Sequence, residues 1–167
     1  MTFTIINCRS LKFKLRSLAT NFVENKNSFI LTNETWFKQR DPQLKQYLHE
    51  IEEEFDIKCI RKDRKLGRTG LAHGGVALFF DAAICSFKKM DLNALKGAAK
   101  DYEILACKGN LKGVKRQVVV FSCYLPPGIP SKQVSDILET LTDAVSEAKA
   151  KADSPWRGLQ QVRHVLH

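Results

Sequence analysis

Three polar residues of this chain stand at the carboxyl ends of predicted strands, where their side chains could line a polar site. They are an amide, a carboxylate and a phenol: Asn7, Glu34 and Tyr124. Loops at strand ends are where function concentrates, while the apolar strands remain in the core. Each residue also has a purely structural interpretation. Asn7 would cap a turn, Glu34 would be a surface carboxylate, and Tyr124 would be an amphipathic residue at the rim.

Basic residues crowd one segment of a chain whose formal net charge is +9. The segment contains Lys58, Arg61, Lys62, Arg64, Lys65 and Arg68, opposed there mainly by Asp56 and Asp63. Such a cluster suits a nucleic-acid backbone, because each neutralised phosphate releases counterions. The alternative is a solvated, flexible loop, and charge alone does not decide between the two.

Hydrophobic periodicity predicts the elements that must position these residues. Strands are predicted at 2–7, 28–32, 57–60, 76–80, 83–87, 102–108 and 117–124, and helices at 11–23, from 41 onwards and at 134–151. Ser10 is the expected N-cap of the first helix, and Asp41-Pro42 opens the second, with proline in its first turn. The strand at 83–87 is expected to form a hairpin with 76–80, and 109–113 is expected to be a turn.

Composition and cysteine spacing limit the classes of protein to which this chain can belong. The chain is 44% hydrophobic and 27% charged, as in ordinary globular domains. It has no apolar run long enough to span a bilayer and no signal-peptide pattern at its start, so we expect an intracellular protein, nuclear or cytoplasmic, not secreted and without a membrane partner. Its five scattered cysteines lack a CxxC pair, which favours buried thiols over disulfides or a zinc site.

Four short motifs, occurring in order, resemble those of the endonuclease domains that non-LTR retrotransposons carry. The sequence NCRSL at 7–11 resembles N-x-R-S-L, and LTNETW at 31–36 resembles T-E-T-W. Residues 64–77 resemble the basic loop and G-G-V-A strand of these domains, and YLPP at 124–127 resembles Y-x-P-P. The resemblance reaches Trp156. It therefore predicts an endonuclease/exonuclease/phosphatase-like domain at 1–156 and a divergent tail at 157–167.

The resemblance implies an α/β (α+β) fold, a four-layer αββα sandwich of the deoxyribonuclease I-like type. It implies that Glu34 binds Mg²⁺ or Mn²⁺, that Asn7 helps to position the metal and the scissile phosphate, and that Tyr124 contacts the phosphate. A hard cation takes oxygen ligands and often uses only one or two carboxylates, which agrees with these roles. The implied partner is DNA, with its backbone held by Arg61, Lys62, Arg64, Lys65 and Arg68. A reverse transcriptase domain downstream in the parent element is a further implied partner.

Two motifs of these endonucleases, G-D-F-N and S-D-H, do not occur in the sequence. In the family they supply the groups that handle the nucleophile and the leaving group, including a general base. Our hypothesis is that the tail after Trp156 arose by truncation, a frame change or a splice error, and that the domain is incomplete at its C-terminus and inactive. Two other interpretations stay open: a phosphatase of the same fold that acts on small molecules, and a non-catalytic, basic nucleic-acid-binding remnant.

Overall fold

Two β-sheets lie between helices in the computed structural model, which describes residues 2–63, 74–96, 103–115, 117–125 and 128–151. Within these ranges the strands are β1 (Phe3–Asn7), β2 (Phe29–Asn33), β3 (Ile57–Lys62), β4 (Val76–Asp81), β5 (Cys85–Lys89), β6 (Glu103–Leu111) and β7 (Val118–Tyr124). The α-helices are α1 (Leu15–Glu24), α2 (Pro42–Phe55) and α3 (Ser131–Lys151). Short 3-10 helices cover Lys12–Lys14 and Asn93–Leu95.

The first sheet has the strand order β1-β2-β4-β3, and the second has the order β5-β6-β7. β1 and β2 are parallel, joined through α1, whereas all the other neighbouring strands are antiparallel. The two parallel strands therefore end at the same edge of the first sheet, which is where Asn7 and Glu34 lie.

The expected hairpin between 76–80 and 83–87 is wrong. β4 pairs with β2 and β3, and β5 pairs with β6 in the other sheet. The reason is the aromatic packing between the sheets, because the ring of Phe87 makes edge contacts with Phe29 and Phe80, at centroid distances of 5.7 and 5.4 Å. Phe87 thus packs against the face of the first sheet instead of extending it.

Three apolar layers hold four layers of structure together. The layer between α1, α2 and the first sheet contains Leu15, Leu18, Phe22, Leu44, Ile51 and Phe79. The layer between the sheets contains Phe29, Leu31, Leu78, Phe87, Leu105 and Val120. The layer between the second sheet and α3 contains Met90, Leu92, Ala106, Val119, Ala144 and Ala148. The order helix–sheet–sheet–helix confirms the expected αββα sandwich.

The beginnings of the first two helices differ in how well the sequence predicted them. Asp41 caps α2 as expected, since its side chain accepts a 3.1 Å bond from the backbone N–H of Leu44. Ser10 does not cap α1, because its backbone is left-handed, with φ of 72°. The chain instead makes a 3-10 turn, and α1 begins at Leu15 after Lys14, which makes no side-chain cap.

The turn expected at 109–113 is shorter than its composition suggested. Gly109 lies inside β6, where an added Cβ would overlap the Ser86 carbonyl oxygen and the Phe87 ring. A glycine in a strand marks such a close approach as often as a turn. The turn itself is at Lys112 and Gly113, and Gly113 has φ of 81°.

All five cysteines are free; Cys8, Cys85 and Cys107 are buried as expected, whereas Cys59 and Cys123 are partly exposed. Burial raises the pKa of the Cys8 and Cys85 thiols to about 11 and that of the Cys107 and Cys123 thiols to about 12. Among the described residues, no helix is long and apolar enough to cross a membrane.

Candidate active site at the ends of both sheets

The candidate site lies where two parallel strands of the first sheet and one strand of the second sheet end together. Asn7 ends β1 and is in register with Asn33, the last residue of β2, so Glu34 follows directly beside it. Tyr124 ends β7 in the second sheet. The pleat alternates side chains between faces, and Asn7 is two residues beyond Ile5, whose register partner Leu31 is buried between the sheets. Asn7 therefore faces the second sheet.

The structure brings all three predicted residues to one carboxylate oxygen. The phenol of Tyr124 donates to Oε1 of Glu34 at 2.7 Å, and Nδ2 of Asn7 donates to the same oxygen at 3.3 Å. Oε2 of Glu34 receives no hydrogen bond from any residue that the structure describes. The site therefore has one carboxylate oxygen held by two neutral donors and a second oxygen available to a ligand.

A second bridge between the sheets lies beside the first and was missed by sequence reasoning. The hydroxyl of Ser122 donates to Oδ1 of Asn33 at 3.4 Å, and Ser122 is buried. The signal that could have found it is the two-residue period of a strand, which puts Ser122 on the same face as Tyr124. The two contacts fix the end of β7 against the end of β2.

The backbone that presents Glu34 is strained. Glu34 and Trp36 both have left-handed φ, of 53° and 54°, a conformation that costs about 1–3 kcal/mol for a non-glycine residue and often occurs at functional sites. Bonds from the loop after β1 hold this segment, because Ser10 N–H donates to the Glu34 carbonyl at 2.9 Å and Leu11 N–H donates to the Thr35 carbonyl at 3.0 Å.

A glycine pair holds the other side of the same segment. The N–H groups of Thr35 and Trp36 donate to the carbonyls of Gly75 and Gly74, at 3.3 and 2.9 Å. Gly75 has φ of 89°, and an added Cβ there would lie 2.5 Å from Oγ1 of the fully buried Thr35. Both the conformation and the space therefore require glycine at position 75.

A lysine stabilises the loop after β1. Arg9 and Ser10 are both left-handed, with φ of 40° and 72°, which leaves nearby carbonyls without partners in a regular element. The ammonium of Lys14 donates to the carbonyls of Cys8 and Arg9, at 2.9 and 3.1 Å. Lys14 thus supports the loop whose Ser10 N–H binds the Glu34 backbone.

Two of the five basic residues predicted to hold DNA lie within the described residues, on opposite faces of β3. Arg61 faces the helical side, with its guanidinium 5.5 Å from the centre of the Phe37 ring and 3.4 Å from the Asp63 carboxylate. Burial raises the pKa of Asp63, and Arg61 and Lys89 partly offset this rise. The guanidinium of Arg61 therefore already contacts the Phe37 ring and the Asp63 carboxylate within the protein.

Lys62 faces the other sheet and is half-buried. Burial lowers the pKa of its ammonium, and so does the positive charge of Lys89, while the carboxylate of Glu103 opposes both effects. The other three predicted residues, Arg64, Lys65 and Arg68, lie outside the described residues.

The donor set at the site suits a hard divalent cation. Oε2 of Glu34 is available, and because the Asn7 amide points its nitrogen at Glu34, its oxygen is free to face a ligand. A cluster of three or more acidic, histidine or cysteine ligands does not occur in the described part of the chain. Mg²⁺ needs no such cluster, since it commonly keeps several waters and uses one or two carboxylates together with substrate phosphates.

Comparisons with known proteins agree on the fold. No protein-family model matches the sequence, and no curated protein matches it. Among solved structures, the chain is similar to a 3'-5' exonuclease from Neisseria meningitidis, with a TM-score of 0.57 and 17% identity over 91% of this chain and 53% of the other. It is similar to an AP endonuclease from Archaeoglobus fulgidus, with a TM-score of 0.53 and 18% identity over 90% and 51%. It is also similar to D. rerio TDP2 complexed with single-strand DNA product, with a TM-score of 0.55 and 11% identity over 87% and 54%.

The chain spans about half the length of each of these three structures. Identities below 20% make the likeness one of backbone architecture. The chain therefore has the deoxyribonuclease I-like fold of endonuclease/exonuclease/phosphatase proteins.

Proposed function

We propose that this chain carries the metal- and phosphate-binding part of a DNA endonuclease that hydrolyses phosphodiesters with a divalent metal. The observation that carries the proposal is the pair of hydrogen bonds from Tyr124 and Asn7 to one oxygen of Glu34. These two bonds leave Oε2 of Glu34 available to a ligand, beside two neutral hydrogen-bond donors. The exonuclease, the AP endonuclease and the DNA complex among the similar structures support the substrate class.

Glu34 and Asn7 would hold Mg²⁺ or Mn²⁺ through Oε2 and the amide oxygen. Such an ion would neutralise charge that develops on the phosphoryl oxygens and the leaving oxygen. Tyr124 and Asn7 would bind the phosphate, because each is a neutral donor that can turn from Glu34 to a phosphate oxygen. Donors held close to their final positions stabilise developing charge with little reorganisation, and here the Ser122–Asn33 contact fixes the strand end that carries Tyr124.

The retrotransposon context belongs to the same proposal. It rests on the sequences of the motifs around Asn7, Glu34 and Tyr124. In this context a reverse transcriptase of the parent element would be a further partner. The 167 residues contain neither G-D-F-N nor S-D-H, so no aspartate–histidine pair of that kind is available as general base. General-base catalysis is typically worth about 10²–10⁴ in rate. We therefore expect these residues alone to bind metal and DNA without appreciable turnover.

A metal-binding measurement tests the site without depending on turnover. Titration of the purified chain with Mn²⁺ in a calorimeter should show one site, which Glu34→Ala abolishes and Glu139→Ala retains. Glu139 is an exposed carboxylate on α3, far along the chain from the site. Equal binding by the two variants would contradict the assignment of Glu34.

Nicking of supercoiled plasmid with Mg²⁺ tests the chemistry. A folded chain that binds Mn²⁺ and does not nick fits an endonuclease part that lacks its proton-transfer groups. Nicking that is lost in Glu34→Ala would show that Asn7, Glu34 and Tyr124 suffice for catalysis. Release of phosphate from small phosphorylated molecules, with no effect on plasmid, would favour the phosphatase alternative instead.

A further inference from the structure

Four lysines from three strands surround the carboxyl end of β5, at the edge of the sandwich. They are Lys62, Lys88, Lys89 and Lys108, called here the β5 lysine cluster. Only Lys62 belongs to the basic segment that the sequence singled out. The others are separated from that segment by 20 or more positions of sequence, and the pairing of strands brings them together.

Two members of the cluster lie directly opposite one another on the outer face of the second sheet. Lys88 of β5 is in register with Lys108 of β6. Their faces are known from their neighbours, because Phe87 and Cys107 are buried between the sheets and the lysines follow them in each strand. Residues directly opposite in an antiparallel pair have Cβ atoms about 4.5–5.5 Å apart, and like charges at such positions are destabilising.

The other two members approach each other across the sandwich. Lys89 is exposed on the inner side of β5, and Lys62 is half-buried on the inner side of β3, the neighbouring edge strand of the first sheet. The charge of Lys89 contributes to lowering the pKa of Lys62, which agrees with their proximity. The buried carboxylate of Glu103 offsets part of the charge on Lys62, and the carboxylate of Asp63 interacts with the charge of Lys89.

No ion pair between described residues includes a member of the cluster, although Glu103 and Asp63 offset part of its charge. The ion pairs of the described part involve Lys12, Arg16, His49, Lys58, Arg61 and Lys96. The two lysine pairs lie on opposite faces of the second sheet at the same strand end, and they keep counterions condensed around them. Their release on binding an array of phosphates favours association, as for any basic surface that meets a nucleic acid.

One member of the cluster, Lys62, is aligned with the candidate site. Hydrogen-bonded registers place Asn7, Asn33, Val76 and Lys62 in one row across the first sheet. Three strand spacings separate Asn7 from Lys62, which is about 14 Å. At 3.4 Å per nucleotide along one strand of duplex DNA, this distance corresponds to about four nucleotides.

We propose that the β5 lysine cluster binds the phosphate backbone of the nucleic-acid strand that crosses the Glu34 site, about four nucleotides away from the scissile phosphate. The choice of nucleic acid as partner rests on the proposed function. The row of residues from Asn7 to Lys62 gives the direction in which the strand leaves the site. The cluster recognises charge and spacing, and it carries no sequence specificity.

The test measures how the affinity for DNA depends on salt. Binding of a fluorescent 20-base-pair duplex is followed by anisotropy from 50 to 300 mM KCl with EDTA present, so that the metal site does not contribute. Each phosphate contact adds about −0.9 to the slope of log affinity against log salt concentration. Replacing all four lysines by glutamine should therefore reduce the slope by about 3 to 4 and weaken binding more than tenfold at the lowest salt.

A matched variant controls for net charge. Lys26, Lys45, Lys132 and Lys149 are all exposed and lie outside the cluster, and their fourfold change to glutamine alters net charge equally. It should change the slope by less than about 1. Equal losses in the two variants, or no loss in the cluster variant, would overturn the proposal.

Further measurements control for misfolding of the cluster variant and for a partner other than nucleic acid. Replacement of Lys62 can disturb folding, because Lys62 is half-buried. The double variant Lys88→Gln/Lys89→Gln changes only exposed positions, and it should by itself reduce the slope by about 2. Binding of the cluster to phosphatidylserine vesicles, with an unchanged DNA slope, would assign it to a membrane surface and overturn the proposal. Glu34→Ala should leave the slope unchanged in EDTA, so this proposal and that of the metal site fail independently.

Discussion

The phenol of Tyr124 lies 2.7 Å from Oε1 of Glu34, and this contact joins the ends of two separate sheets. Tyr124 ends a strand of the second sheet, whereas Glu34 follows a strand of the first. Their mutual position therefore depends on how the sheets pack face to face. The rigidity of the site therefore depends on the packing of the apolar layer between the sheets, which contains Leu31 and Val120.

We expect Tyr124 and Glu34 to be energetically coupled. A hydrogen bond to a charged group contributes about 1.5–3 kcal/mol when buried, and the half-exposure of both side chains lowers this to about 1 kcal/mol. A double-mutant cycle with Tyr124→Phe and Glu34→Ala, measured by urea unfolding, gives the coupling free energy. The pair Gln43 and Tyr47, bonded on the exposed face of α2, is the control and should show weaker coupling. A coupling below about 0.3 kcal/mol for Tyr124 and Glu34 would contradict the contact.

Substitution of Gly75 by alanine should destabilise the protein more than substitution of Gly113. Both glycines have positive φ, of 89° and 81°, but only at Gly75 would the new Cβ meet another atom, Oγ1 of Thr35 at 2.5 Å. Gly113→Ala should therefore show only the conformational cost, about 1–3 kcal/mol. Gly75→Ala should add an overpacking cost of similar size.

The same clash makes a specific prediction for a double variant. Thr35→Ala removes the atom that the new Cβ would meet, so Gly75→Ala should cost less in a Thr35→Ala background than in the native one. Chemical denaturation of the four proteins measures this difference. If Gly75→Ala costs the same in both backgrounds, the destabilisation arises from the backbone conformation alone and the packing argument is wrong.

Local patterns predicted the elements well, and the departures all come from contacts between distant segments. The Asp41-Pro42 cap needs only its own helix, and it was predicted correctly. Ser10 fails as a cap because its backbone is left-handed, in a loop held by the bond from Ser10 N–H to the carbonyl of Glu34, 24 positions away in sequence. β5 leaves the expected hairpin because Phe87 packs between the sheets. No pattern within one segment contains either contact.

The sequence named the three residues that the structure brings together, but not the contacts that support them. The predicted strand ends and the motif sequences singled out Asn7, Glu34 and Tyr124. The Ser122–Asn33 contact depends on how two sheets dock, and the bonds from Lys14 depend on a left-handed loop. The pairing of Lys88 with Lys108 depends on strand register, which a run of alternating residues does not specify by itself.

Asp41 should make the stability depend on pH in a defined direction. The ammonium of Lys12, at 2.7 Å, lowers the pKa of this carboxyl below its ordinary value of 3.8. A lowered folded-state pKa gives stability that is complete above the unfolded pKa and is lost as the pH falls through the folded pKa. Native protein should therefore exceed Asp41→Asn by about 1 kcal/mol at pH 7, and the difference should shrink below pH 3.8.

Two variants separate the charge of Asp41 from its role as a cap. Asparagine is also a good N-cap, so Asp41→Asn removes the ion pair alone, whereas Asp41→Ala should cost about 1 kcal/mol more. Lys12→Met should remove most of the pH-dependent difference, because Lys12 is the largest cause of the lowered pKa. A pH-independent difference between native protein and Asp41→Asn would show that the ion pair does not form in solution.

The five thiols should react slowly in the native protein and completely after unfolding. Burial is the first cause of the raised pKa at every cysteine, and the thiolate is the reactive form. A pKa of about 11 leaves about one Cys8 thiol in a thousand ionised at pH 8. Reaction with an aromatic disulfide reagent at pH 8, with and without denaturant, measures the difference. Rapid reaction of Cys85 or Cys107 in native protein would mean that the layer between the two sheets opens readily, and the rigidity argued for the Tyr124–Glu34 contact would not hold.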